Sequence, residues 1–470
     1  MSSPFARTLI MRPSPSVADS ATVLGRSFSG QILGRADPDY ERQRRVHNGL
    51  VDKHPALIVR CGGISDIVAA IHFARKEGLE IAVRGGGHNV AGRATIDDGL
   101  MIDLSLMKGV QVSPENRTTR AEGGVTWGEL NQETQLHGLA TTGGIVSSTG
   151  IAGLTLGGGL GYLMGKYGLA ADNLISAQVV TAEGQVLTAS REENPDLFWG
   201  VRGGGGNFGI AASFEYRLHQ VGPVITGGLV AHPFDKAKDV LRFYRDFTAS
   251  IPDELTVYVG LLNAPDGSGA KLAAMPLCHC GPLGEGEAAV RPIKEFGSPV
   301  LDVVGTIPYC QVNAMLDEDY PRGALNYWKS SFLSDLSDEA IDTLADCSAR
   351  CPSPMRGSGI VLEHLHGAAT RHRADDTAFP HRRDGYSMVI LSQWTDPAES
   401  ERCIEWARQS FAAMEPFSAL GAYVNYLDRD ESPDRVITAY GSNHGRLQRL
   451  KAKYDPQNVF HMNQNIRPGG

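Results

Sequence analysis

The stretch Arg84-Gly85-Gly86-Gly87-His88-Asn89 sets one imidazole beside three glycines. Glycine lacks a Cβ, so its peptide N–H can approach a ligand closely and its φ can turn positive. Consecutive amides freed in this way form a nest for anionic oxygens. Two further clusters repeat the device, Gly157 to Gly161 and Gly203 to Gly206. One cluster alone would read as loop packing. Three, one of them holding a histidine, imply an extended anionic ligand larger than a single phosphate, and a dinucleotide has that size. Gly159, Gly161 and Gly165 loosely resemble a nicotinamide-dinucleotide fingerprint. That signal is weak here because no clean strand–turn–helix surrounds it.

Composition narrows the classes. The 470 residues suit two to three domains. With 42% apolar and 21% charged residues the chain can bury a large core. A net charge of −9 argues against a nucleic-acid partner. Seven cysteines, an odd number, form no disulfide framework and fit a reducing compartment. Cys278-His279-Cys280 and the pair Cys347 and Cys351 match no common zinc spacing, so no metal is expected. The start, MSSPFARTLIMRPSPS, has no apolar run of secretory length, and no stretch is long enough for a spanning helix. A soluble cytoplasmic protein with no membrane partner is expected, and oligomeric state is unreadable.

These loops need elements to hold them. Ile67, Ile71 and Ala74 mark a helical face, Gly78 stops that helix, and residues 80–83 run as a strand into the glycines. LMIDLSLM, VQVSP and TTRAEGG read as short strands. ISAQVVTAEGQVL reads as a hairpin turning at Glu183-Gly184. Asn194 reads as a cap with Pro195 opening a helix, and a strand follows from Ile210 to Leu218. The texture changes near residue 220. Beyond it ELTVYVGLLNA, SGIVLEHLHG, YSMVILSQW and AYVNYL are strand candidates, and Ile404, Ala407, Phe411 and Met414 share a helical face. This second part reads as α+β. His364 and His366 share one face of their strand, a placement more often structural than catalytic.

Several motifs, in one order, resemble the berberine-bridge-enzyme-like oxidases of the vanillyl-alcohol-oxidase flavoprotein superfamily. They are IAVRGGGHNVAG, TTGGIVSSTGIAGLTLGGGLGYLMGKYGL, NPDLFWGVRGGGGNFGI, AYVNYLD and KAKYDPQNVFHMNQNIRP. The resemblance runs from about residue 50 to the end. It implies an α+β fold: a PCMH-type FAD-binding domain of two subdomains over residues 1–220, then an antiparallel-sheet substrate domain with helices over 221–430. A tail over 431–470 returns to the FAD domain. It also implies FAD joined covalently through the 8α carbon to His88. Arg84, Gly85, Gly86, Gly87 and Asn89 would supply amides to the pyrophosphate. Gly144, Ser148, Thr149, Gly150, Gly153, Gly158, Gly161 and Ile210 fall in the further cofactor-binding motifs, and Asn463 and Asn465 in the tail that closes over the ring. Some members carry a second, cysteinyl link; Val146 stands at that position, so one covalent bond is expected.

The reaction implied is hydride transfer from a C–H of an alcohol, sugar or amine to flavin N5, with O2 taking the electrons and giving peroxide. Tyr423 and Tyr426 match the family's tyrosine base. On a strand they would face opposite sides, so both reach one ligand only if the strand bends or ends there. A bare tyrosine also needs a cation or hydrogen bond to act near neutrality. Lys329 is a candidate cation, Tyr327, Trp328 and Gln393 are candidate substrate contacts, and Ile151 lies near the route of O2. Alternatives left open are a flavin-dependent cyclase, oxygenase or dehydrogenase, a flavin-holding binding protein, and a nicotinamide enzyme. No motif names the small-molecule substrate.

Overall fold

In the computed structural model the described residues are 24, 25, 28–419 and 421–469. The N-terminal stretch read above for a leader lies outside them. Two small sheets build the first part of the chain. One has four strands in the order Gln31–Gly34, Leu57–Arg60, Leu100–Asp103, Ile81–Arg84. The first pair is antiparallel and the other two pairs are parallel. The helix Ile64–Glu77 makes a crossover between them, and Gly78 ends it with φ +68° and its N–H on the Ala74 carbonyl. Ile67, Ile71 and Ala74 are fully buried beneath it.

The other small sheet is antiparallel, in the order Val110–Ser113, Thr118–Glu122, Ile210–Arg217, Leu174–Val180, Val186–Ser190. Its last pair is the expected hairpin, turned at Gly184 with φ +78°. Asn194 precedes the helix Pro195–Gly200 but does not cap it through its side chain; its Nδ2 donates to the Thr188 carbonyl instead.

A nine-stranded sheet forms the second part. Its central strands are Leu255–Asn263, Gly359–Leu365, Gly385–Trp394 and Leu325–Leu333, all antiparallel. The helices Ala237–Thr248, Asp338–Ala349 and Ser400–Met414 cover one face. Leu344, Met388, Ile390 and Trp406 form part of the core between them. The opposite face looks toward the first part of the chain.

AYVNYL is not a strand. Val424–Tyr426 forms a 3-10 turn closed by Tyr426 N donating to the Tyr423 carbonyl at 2.9 Å. Side chains take the place of a ladder, since Asn425 Nδ2 donates to the Leu154 carbonyl and to the Tyr423 hydroxyl. The tail then packs back on the first part: Ile466 N donates to Asn207 Oδ1, and Tyr454 OH to Asp196. Among the described residues no helix is long and apolar enough to cross a membrane.

Candidate active site

The strand Ile81–Arg84 delivers the chain into the glycine loop, and Arg84 fixes its exit. Arg84 Nη2 and Nε donate to Asp103 at 2.5 and 3.1 Å, and Nη1 donates to the Gln43 and Arg45 carbonyls. Burial alone would raise the Asp103 carboxyl, but the Arg84 guanidinium and Ser105 outweigh it and hold it below the usual range. The Arg84 side chain therefore shapes the loop from behind, and Arg84 does not line the cavity.

Beyond it the backbone amides of Gly85 to Asn89 donate to no group among the described residues. Gly87 has φ +74°. A Cβ on Gly86 would lie 2.3 Å from Gly150 N, so only glycine lets the two loops touch. Five free amides beside a cavity form the cradle that a pyrophosphate requires.

His88 lines that cavity, stacked on His47 with ring centroids 4.0 Å apart and planes at 22°. Ser148 Oγ lies 2.9 Å from Nε2 and Thr149 Oγ1 3.4 Å from Nδ1. Burial, helped by His47 and Arg322, pushes the His88 pKa down to about 3. The ring is thus neutral at physiological pH, with one nitrogen lone pair available for bonding.

The cavity continues between the loops and the large sheet. Alternation decides which sheet residues reach it. Val361 and Glu363 face it from one strand, Val389 and Leu391 from the next, Trp328 from the third. Tyr327 and Lys329, one place to either side of Trp328, point to the helix-covered face. Lys329 Nζ donates to Asp430 and Glu431, each at 2.9 Å, and Tyr327 OH donates to Asp430 at 2.7 Å. Burial would lower the Lys329 pKa, but Glu431 and Asp430 outweigh it and raise it to about 12. Neither residue lines the cavity. Gln393 lies on the same face as Leu391 but beyond the cavity's end, buried and bonded to Asn326.

Because the chain turns at Val424–Tyr426, Tyr423 and Tyr426 both line the cavity, with rings 4.7 Å apart at 83°. Their roles diverge. The Tyr423 hydroxyl accepts from Gly159 N at 3.0 Å and from Asn425 Nδ2 at 2.8 Å, so it holds a glycine loop. Tyr426 OH donates to Glu363 Oε1 at 2.9 Å. Burial pushes the Tyr423 phenol up to about 12, and burial with the Glu363 charge pushes Tyr426 well above its usual value. Neither ionises near neutrality. Glu363 does: burial raises it to about 7 against the opposing pull of the nearby Tyr426 and Ser387 hydroxyls. Its Oε2 is buried without a partner.

Among the expected cofactor contacts, Gly144, Thr149, Gly150, Gly153, Ile210 and Asn463 line the cavity, and Ser148 reaches it through His88. Gly158, Gly161 and Asn465 do not. The first two serve packing: a Cβ would lie 2.7 Å from the Phe379 ring at Gly158 and 1.8 Å from the Gly143 carbonyl at Gly161. Ile151 is buried in the core, and Ala152 and Gly153 line the cavity instead. His47, Arg93, Tyr320, Glu363 and Met462 also line it and were not singled out from sequence. Glu363 leaves one signal in the sequence, an acid on the face of Gly359–Leu365 that it shares with Val361 and Leu365. Among the described residues no group of three or more His, Cys, Asp or Glu side chains is arranged to hold a metal.

The chain is similar to several known proteins. A family profile described as an FAD binding domain matches residues 55–190, and one described as berberine and berberine like matches 422–467. An FAD-linked oxidoreductase of Dictyostelium discoideum is 31% identical over 447 residues, covering 94% of this chain and 95% of that one. The (R)-6-hydroxynicotine oxidase of Paenarthrobacter nicotinovorans is 30% identical over 454 residues, covering 94% and 98%. The crystal structure of 6-hydroxy-D-nicotine oxidase from Arthrobacter nicotinovorans superposes with a TM-score of 0.86 at 28% identity, covering 94% of this chain and 99% of that one.

Proposed function

This chain belongs to the berberine-bridge-enzyme-like FAD-linked oxidoreductases, and from that premise we propose a single-link flavin oxidase in which Glu363 is the proton acceptor. The residues present fit the cofactor. The amides of Gly85 to Asn89 would hold its phosphates, and His88 would carry the covalent bond. Val146 lines the cavity where a second link would need a sulfur, and no cysteine lines it. Bound there, FAD supplies the two-electron acceptor for a substrate hydride, with O2 as final acceptor and peroxide as product.

The observation that carries the proton step is the buried Glu363 carboxylate, with Oε1 held by Tyr426 and Oε2 free. Glu363 takes the O–H or N–H proton of the substrate as its C–H is oxidised. Tyr426 orients the carboxylate and Trp328 walls the substrate at its side. Tyr423 keeps the Gly159 loop in place and takes no proton. The aromatic and aliphatic lining suits a substrate with an apolar or ring-bearing body, alcohol or amine at its reacting end. Peroxide released under air from a panel of aromatic alcohols and amines supports the oxidase. A strict need for a dye acceptor contradicts it.

Tyr426→Phe separates orientation from proton transfer. Losing a hydrogen bond to the charged form raises the Glu363 pKa. The acidic limb of kcat/KM therefore moves to higher pH by about one unit. An unmoved limb would mean that Tyr426 does not act through Glu363.

A further inference from the structure

Arg93 enters the cavity wall from the loop that follows His88 and Asn89. Its backbone is fixed, with its N–H donating to Asn89 Oδ1 at 3.1 Å. Its side chain is only partly exposed, and its Nε is buried without a partner. Among the described residues its guanidinium takes part in no ion pair. The deeply buried arginines elsewhere differ: Arg44 is paired with Glu41 and Asp52, Arg84 with Asp103, and Arg382 with Asp172. A guanidinium withdrawn from water without an anion is unfavourable, so folded chains supply one.

Asp428 is the carboxylate that acts on Arg93, but its oxygens are already engaged. Oδ2 accepts from Trp328 N at 2.9 Å and Oδ1 from Arg429 N at 2.6 Å. Lys53, the neighbouring cation, donates to the Gly92 and Thr95 carbonyls and adds to the positive charge of the site. From the sheet side Trp328 lines the same cavity, and its Nε1 is a second buried donor without an acceptor. Two unsatisfied donors, one of them cationic, thus line one cavity, with Asp428 bonded to the Trp328 backbone and acting by its charge on Arg93.

We propose that Arg93 and Trp328 Nε1 form an anchor for the carboxylate of the substrate, which is a small acid with an apolar or aromatic body. This rests on the reading of the cavity as a flavin and substrate site. A planar guanidinium matches a carboxylate in fork geometry, and the Trp328 ring offers the apolar face beside it. Glu363, when ionised, repels a second carboxylate. The acid group therefore sits between Arg93 and Trp328, and the oxidisable O–H or N–H is turned to Glu363.

The test titrates the flavin-loaded enzyme with benzoate, phenylacetate and 3-phenylpropionate, following the flavin absorbance. The corresponding neutral amides are the controls. The anchor predicts saturable binding of at least one acid, at least tenfold tighter than its amide. Arg93→Met weakens the acid at least tenfold and leaves the amide unchanged. Arg93→Lys, which keeps charge but loses the fork, lies between, and Trp328→Phe weakens the acid more than the amide. Equal binding of acid and amide, binding of no acid, or an unchanged acid in Arg93→Met overturns the proposal. So does an Arg93→Met protein that folds but loses its flavin, since Arg93 would then serve the cofactor. A wild-type protein that carries no flavin and takes up none would instead overturn the underlying reading of the cavity.

Discussion

Glu363→Gln lowers kcat by about 10²–10⁴-fold while the flavin spectrum stays intact. Glutamine keeps the shape and can still accept from Tyr426, which donates to Oε1 at 2.9 Å. It cannot take a proton. In the wild type the proton acceptor works only when ionised, so kcat/KM rises with pH through about 7, where burial places this carboxyl. The variant loses that limb. Stability moves the other way. A carboxyl whose folded pKa lies above its unfolded value binds a proton more tightly in the native state. It therefore costs no stability below about pH 4, and the cost grows as pH rises from there through about 7. Glu363→Gln removes that cost, which amounts to roughly 3 kcal/mol at most. The variant is thus more heat-resistant than the wild type at pH 8 and equal to it near pH 4. A variant that keeps its activity, or a wild-type profile without the acidic limb, shows that another group takes the proton.

Lys451→Met has the largest structural effect. Lys451 and Asp455 are fully buried and bonded at 2.6 Å, one turn apart in and just beyond the last helix, His444–Tyr454. Lys451 Nζ also donates to the Asn207 and Phe460 carbonyls, at 2.7 and 2.9 Å. Asp455 accepts from Val459 N and Phe460 N, each at 2.8 Å. This cluster fastens the turn that carries Met462, Asn463 and Gln464 to the cavity wall. Methionine fills much of the lysine volume but leaves Asp455 buried without its cation, a loss of about 3–5 kcal/mol. Adding Asp455→Leu removes the stranded charge and recovers part of that loss. Denaturant unfolding measures both variants. A single variant within about 1 kcal/mol of wild type would show that the pair does not hold the tail.

The parts of this site that are local in sequence were legible, and those set by packing were not. Glycines 85 to 87 sit beside His88 in the chain and remain beside it in space, so the cradle follows from composition and spacing. The hairpin at Gly184 and the helix ending at Gly78 are equally local. Trp328 and Lys329 differ by one place on one strand, and only the sheet's partner layers decide which of them sees the cavity. The sequence favoured both; the helix-covered face takes Lys329 because Asp430 and Glu431 wait there. Tyr423 and Tyr426 look like strand residues by type. Their turn is made by Asn425 bonding to Leu154, a contact across 271 residues. Arg93 is the extreme case, since the lack of a partner has no signature in a sequence.

In the proposed enzyme the flavin is held by one bond, to His88. Acid precipitation of the purified yellow protein, followed by mass analysis of its peptides, tests it most directly. The expected result is colour in the pellet and an FAD-derived mass on the peptide containing His88, with no flavin on any cysteine. Colour released to the supernatant with an unmodified His88 peptide, or a flavin thioether, would contradict it.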